Sequence, residues 1–200
     1  MTSLTFYFDP GCPFTWITSR WLVEAAGRAQ VDVTWRAFPL GIINADKEVP
    51  EEYRPLFEVS NRALRVVESL VAEGRNADAG AFFTAIGTSR FVEGGEYDDA
   101  LVVAAGTTAG ITDVEFRMAD ESQDARLQAS YDEIHAIAGD DVGSPAIRLD
   151  GTDRAFFGPV VSPAPKGDDA DRLLAAYLML LEVPGLFEVK RSRQGELDFS

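Results

Sequence analysis

Read for hydrophobic and polar periodicity, the chain predicts strands at both ends and helices between them. Leu4-Thr5-Phe6-Tyr7-Phe8 is a short run of apolar and β-forming residues and predicts a buried strand. From Pro13 to about Arg28 the period lengthens, and Phe14, Ile17, Trp21 and Leu22 fall roughly on one helical face. Over Gln30–Pro39 the period shortens again: Val31, Val33 and Trp35 alternate with Asp32, Thr34 and Arg36, which predicts a second strand. The first forty or so residues thus form a β-α-β unit.

Between about Gly41 and Gly139 the pattern is helical. Pro50-Glu51-Glu52-Tyr53 reads as a helix start with acidic residues suited to the dipole, and Leu56, Leu64, Val67 and Leu70 recur at helical spacing up to Glu73. Asp78–Phe91, Asp98–Ala109 and Glu121–Ala138 are further predicted helices, punctuated by Gly74, Gly94-Gly95, Gly110 and Gly139. Strand character returns at Ala146–Leu149 and Ala155–Phe157, which flank Asp150-Gly151 as a hairpin with a longer than minimal loop. Asp168–Leu181 closes the pattern as an amphipathic helix with Leu173, Leu174, Tyr177 and Leu181 on its apolar side. The order β-α-β, helices, β-β-α is that of a thioredoxin fold with an all-helical insertion. It divides the chain into a thioredoxin-like part, 1–40 with 140–200, and an inserted helical part, 41–139.

Composition narrows the function. The chain has 200 residues, 46% hydrophobic and 26% charged, ordinary for a globular protein with a substantial core. No apolar run is long enough to span a bilayer, and Met1-Thr2-Ser3 does not open a signal segment, so the expected location is cytoplasmic. A net charge of -15 argues against nucleic acid and anionic membranes as partners. Lys190-Arg191-Ser192-Arg193 is a basic cluster, read here as a solvated tail after the last helix. With one histidine, His135, and one cysteine, Cys12, neither a metal site nor a Ser-His-Asp hydrolase is expected. His135 reads as a solvated or half-buried helix residue. Asp140-Asp141 and Asp168-Asp169 read as surface or helix-start acids.

The chemistry concentrates at Cys12, in Phe8-Asp9-Pro10-Gly11-Cys12-Pro13-Phe14-Thr15. The cysteine falls where the first strand turns into the first helix. Unpaired N–H groups and partial positive charge at a helix N-terminus favour thiolate over thiol. Pro13 suits the first helical position, where a missing N–H costs nothing. An exposed thiol with a lowered pKa is therefore expected; a small buried hydrophobe is the bland alternative. A single cysteine excludes any internal disulfide.

These segments carry a specific likeness. Phe-x-Asp-Pro-x-Cys-Pro followed by Trp16-Ile17-Thr18-Ser19-Arg20-Trp21 resembles the DsbA-like proteins of actinobacteria, in particular the mycothiol-dependent nitroreductase family. So do Val142-Gly143-Ser144-Pro145 and Ala155-Phe156-Phe157-Gly158-Pro159-Val160, together with Asn44 and Pro50-Glu51-Glu52-Tyr53-Arg54. The likeness extends to Phe187-Glu188-Val189-Lys190-Arg191. It implies a DsbA/glutathione-transferase-kappa architecture, a cytoplasmic setting, and mycothiol or another low-molecular-weight thiol as co-substrate. An electrophile, nitroaromatic or other, would be the second substrate. It also implies a cis Ser144-Pro145 bond facing the cysteine, with backbone groups free to pair with a bound thiol compound in strand-like fashion.

One departure from the family matters. Where the family has Cys-Pro-Trp-Cys, this chain has Cys12-Pro13-Phe14-Thr15. Disulfide transfer between two cysteines is thereby excluded, whereas monothiol chemistry through a mixed disulfide survives. Thr15 either offers its hydroxyl to the sulfur or is a tolerated polar residue. Phe14 (expected to be exposed beside the sulfur), Trp16, Asn44 and Tyr53 are carried over as substrate-pocket candidates. Trp16 is equally readable as core, Asn44 as a turn former and Tyr53 as a packing residue. Two other classes remain open: a kappa-type thiol transferase or isomerase, in which a serine occupies the cysteine's position, and a redox-inactive binding protein. Oligomeric state is left open, a homodimer being one option.

Overall fold

The computed structural model describes residues 2–193 and 195–199. Strand β1 (Ser3–Phe8) runs at the centre of a four-stranded sheet of order β2-β1-β3-β4. It pairs in parallel with β2 (Asp32–Ala37), in the register Phe6 opposite Trp35, and antiparallel with β3 (Ala146–Leu149), Phe6 opposite Ile147. Strand β4 (Arg154–Phe157) completes the hairpin with β3. Parallel pairing of β1 and β2 needs a crossover, which helix α1 (Pro13–Ala29) supplies.

The next helices are α2 (Leu40–Ile43), α3 (Arg54–Ala72), entered through a short 3₁₀ turn at Glu51–Tyr53, and α4 (Asn76–Gly87). A π turn at Thr88–Val92 ends α4. Then come α5 (Asp99–Thr108), α6 (Val114–Ala119), α7 (Asp124–Ala138) and, after the hairpin, α8 (Gly167–Leu181). Two short helices, α2 and α6, fall outside the elements expected from periodicity. Each has fewer than seven residues, too few to display a repeat.

Alternation along β1 separates two cores. Leu4, Phe6 and Phe8 point into the larger one, with Trp16, Trp21, Leu64, Val67, Phe82 and Phe83. Trp21 is fully buried, and its indole N–H donates to the Ala170 carbonyl of α8 at 3.1 Å. Burial of such a side chain contributes roughly 2–3 kcal/mol, and its hydrogen bond ties α1 to α8. Tyr7 belongs to a smaller cluster with Phe38, Ile134 and Ala146.

The basic cluster at 190–193 is exposed, as expected, but the segment beyond it packs back on the core. Leu197 and Phe199 pack against the larger core, and the Arg193 guanidinium lies 4.2 Å from the centre of the Phe14 ring. Apolar residues beyond the basic cluster supply the burial that a charged tail lacks.

Candidate active site around Cys12

The loop after β1 is shaped by one buried carboxylate. Asp9 is fully buried; its Oδ1 accepts from the Gly11 N–H at 2.7 Å and the Ser60 hydroxyl at 2.6 Å, and its Oδ2 accepts from the Leu40 N–H at 2.9 Å. The Cys12 N–H donates back to the Asp9 carbonyl at 3.0 Å, which closes the turn. A Cβ on Gly11 would lie 2.6 Å from Ser60 Oγ and 3.0 Å from Asp9 Oδ1, so a side chain there would displace the Ser60 hydroxyl from Asp9. Cys12 is then the N-cap of α1, with φ -89° and ψ 118°, and Pro13 occupies the first helical turn.

The sulfur faces the hairpin side. Cys12 Sγ donates to the Ser144 carbonyl at 3.5 Å, and the Ser144–Pro145 peptide is cis. The Thr15 and Ser144 hydroxyls pair at 2.8 Å, and the Asp9 N–H donates to Ser144 Oγ at 3.1 Å. Ser144 thus receives the loop, the first turn of α1 and the sulfur together. The Pro145 carbonyl already accepts from the Gly158 N–H at 2.8 Å, so strand-like pairing with a bound compound narrows to the Ser144 backbone.

The protonation state corrects the expectation of an exposed, acidified thiol. Cys12 is only 7% exposed, and burial pushes its pKa up from the ordinary value, with the Asp9 charge acting in the same direction. The Thr15 hydroxyl and the N–H groups of Thr15 and Phe14 pull the other way, as a helix start should, but burial is the larger effect. The resting sulfur is therefore a thiol donating to a carbonyl.

Of the residues expected at the site, Cys12, Thr15, Ser144 and Pro145 converge, with Pro13 setting the helix start. Phe14 is half-buried beneath Arg193 rather than open to solvent. Trp16 is 3% exposed and packs edge-on against Phe83, with Gly87 beneath its ring. It is core, because position four of the helix turns inward. Asn44 caps α2 through its own Nδ2 bond to the Leu40 carbonyl at 2.8 Å. Tyr53 is 46% exposed and stacks on Phe57. Neither Asn44 nor Tyr53 shares a contact with Cys12 in these bonds. His135 packs against Phe38 and Tyr131, its Nδ1 on the Tyr131 carbonyl.

A second layer escaped residue-by-residue reading. Ser60 on α3 links Asp9 to the Tyr97 hydroxyl at 3.1 Å, and the Arg90 guanidinium lies over the Tyr97 ring at 4.0 Å. Arg90 Nη1 would be 3.4 Å from a Gly11 Cβ, which places its charge at the Cys12 turn. Asp9 stood in the motif, but Ser60, Arg90 and Tyr97 come from helices and loops whose packing has no local signal.

A thioredoxin-type sheet, a cysteine at the start of its first helix and a cis-proline opposite define the thiol–disulfide oxidoreductase class. A family profile described as "Mycothiol-dependent nitroreductase Rv2466c" matches residues 11–191, and the chain belongs to this Rv2466c-like family. Among relatives, the Mycobacterium tuberculosis protein Rv2286c, described as uncharacterized, is 28% identical over 96% of this chain and 83% of its own. Among solved structures, a 2-hydroxychromene-2-carboxylate isomerase aligns with TM-score 0.62 and 15% identity, covering 89% of this chain and 94% of that one. The cytosolic disulfide reductase DsbM of Pseudomonas aeruginosa aligns with TM-score 0.56 and 18% identity, over 89% and 99%. These two likenesses bear on the fold. No helix among the described residues is long and apolar enough to cross a membrane.

Proposed function

We propose that this protein is a cytoplasmic monothiol oxidoreductase in which Cys12 carries a mixed disulfide with a low-molecular-weight thiol, mycothiol by family. The observation that carries the proposal is the apposition of Cys12 Sγ, the Ser144 carbonyl before Pro145, and the Thr15 hydroxyl. The helical stretch 41–139 is read as an insertion that supplies Ser60, Arg90 and Tyr97 to the surroundings of the sulfur.

The Cys12 thiol first loses its proton to solvent, and the Thr15 hydroxyl turns to donate to the resulting thiolate. In exchange, the thiolate attacks one sulfur of a disulfide, the S–S bond breaks, and the other half leaves as thiolate. A second small thiol then attacks the mixed disulfide, leaving a new small disulfide and reduced Cys12. With an electrophile, Cys12 and one small thiol together give up two electrons and two protons as they join. A nitro group accepting them becomes nitroso and water. Incubation with the oxidised form of the small thiol is expected to add one thiol per chain to the wild type, and none to Cys12→Ser. If Cys12→Ser turns over thiol and electrophile at the wild-type rate, the proposal fails.

The burial of Cys12 favours a second reading, a kappa-type transferase or isomerase in which the bound thiol's own sulfur reacts and Thr15 and Ser144 face it. On that reading Cys12→Ser retains activity while Thr15→Val loses it.

A further inference from the structure

In a chain of net charge -15, a few arginines rest on aromatic rings with no carboxylate at ion-pair distance. Nine arginines are held in ion pairs elsewhere: 28, 36, 54, 62, 65, 75, 117, 148 and 172. Among the described residues, Arg20, Arg90, Arg126, Arg154, Arg191 and Arg193 form no such pair, and three of these, Arg20, Arg90 and Arg193, lie against aromatic rings. Arg20 sits 4.2 Å from the Trp16 ring centre, Arg90 5.0 Å from that of Phe91 and 4.0 Å from that of Tyr97, and Arg193 4.2 Å from that of Phe14. Trp16 stacks on Phe91 and Phe91 on Phe199, and Arg90 spans Phe91 and Tyr97.

Two buried donors on this patch lack acceptors, Arg90 Nη1 and the indole N–H of Trp16, and both residues contact Phe91. A desolvated donor without a partner is costly. The anion at the turn, Asp9, already holds three donors of its own and forms no ion pair with Arg90. A half-buried guanidinium at a reactive turn, flat on aromatic rings, attracted by Asp9 but with one N–H left unpartnered, suits a planar oxyanion.

We propose that the electrophile reacting at Cys12, as distinct from the small thiol, carries a carboxylate next to an aromatic or otherwise flat body, with Arg90 holding the carboxylate and Arg193 steering it in. This rests on Cys12 being the reacting sulfur and names the class of its substrate. Three features support it: a guanidinium at the turn, the half-buried rings of Phe91 and Phe199 for the body, and an exposed cation over Phe14.

The test compares two aromatic disulfides, the dicarboxylate 5,5′-dithiobis(2-nitrobenzoate) and the uncharged 4,4′-dithiodipyridine. In each reaction the Cys12 thiolate attacks one sulfur, the S–S bond breaks, a mixed disulfide forms and one aryl thiolate leaves. Cys12 is oxidised and the leaving sulfur reduced. Arg90→Gln is expected to slow the dicarboxylate by ~10-fold or more and the uncharged disulfide by less than ~2-fold, as for loss of a charge-assisted hydrogen bond. Arg90→Lys, which keeps the charge, is expected to retain most of the selectivity. Arg193→Ala, at an exposed position, is expected to slow the dicarboxylate by ~2–3-fold in low salt, an effect that added salt erases. Equal slowing of both disulfides in Arg90→Gln would overturn the proposal, because Arg90 would then act on the sulfur or on Asp9. If Cys12 reacts with neither disulfide in the wild type, it is the underlying reading of Cys12 that fails.

Discussion

Two charged regions of this protein are built in opposite ways. Around β2, the carboxylate of Glu68, whose side chain is 3% exposed, accepts from Arg36 Nε at 3.0 Å and from the Ala37 N–H at 2.8 Å. Arg36 reaches on to Glu133, which also receives Arg148 at 2.5 Å. Every charge there has a partner, and the network ties α3 and α7 to the sheet. Around Cys12 the charges are left open: Arg90 and Arg193 rest on rings, and a thiol is buried against a carbonyl. A closed network is a fixture of the scaffold, whereas an open one is poised for something the chain itself does not supply.

Breaking the closed network should have the largest effect on stability and the least on chemistry. Glu68→Ala leaves Arg36 short of its buried partner and is expected to cost about 3–5 kcal/mol in denaturant unfolding. Its effect on Cys12 alkylation should stay within ~2-fold, and a larger change would mean that the two regions are coupled. Gly87→Ala places a methyl against the Trp16 ring and is expected to cost about 1–3 kcal/mol, read as a lowered Tm.

The open region responds in reactivity instead. Because the thiolate is the reacting form and burial raises the Cys12 pKa, native alkylation should accelerate with pH through a midpoint above that of an ordinary thiol. The same shift has a stability consequence. Above the ordinary thiol value the unfolded chain loses its proton before the folded one, so this group's contribution falls as pH rises. Thr15→Val removes a donor to the thiolate, should move the midpoint further up, and should slow alkylation at neutral pH by ~3–10-fold. Arg172→Ala at the far end of the scale breaks an exposed pair with Asp169, both side chains about three-quarters exposed, and should leave Tm unchanged within measurement.

Much of the fold was legible because its elements are long or sharply bounded. Leu4–Phe8 carries a strand's composition, Pro13 marks a helix start, and Asp150-Gly151 marks a hairpin. The short α2 and α6 carry no such signal. At the site, the motif around Cys12 and the Ser144-Pro145 pair were readable as local chemistry. The sign of the Cys12 shift was not, because a helix N-terminus is visible in sequence while burial under segments 132 residues away is a product of packing. Trp16, readable from sequence as pocket or core, is core, since adjacent helix positions face in different directions. Arg90 lay in a stretch read only as helix. Its place beside Gly11 depends on how the π turn at Thr88–Val92 ends α4, a tertiary fact without a local pattern.

The central claim is that Cys12 itself carries the chemistry. Intact-mass measurement of the wild type and Cys12→Ser, after incubation with the oxidised small thiol, tests it most directly. One thiol adduct on the wild type, released by the free thiol and absent from Cys12→Ser, is the predicted result. A wild type that stays unmodified while both proteins turn over thiol and electrophile equally would contradict it and assign the reaction to the bound thiol's own sulfur.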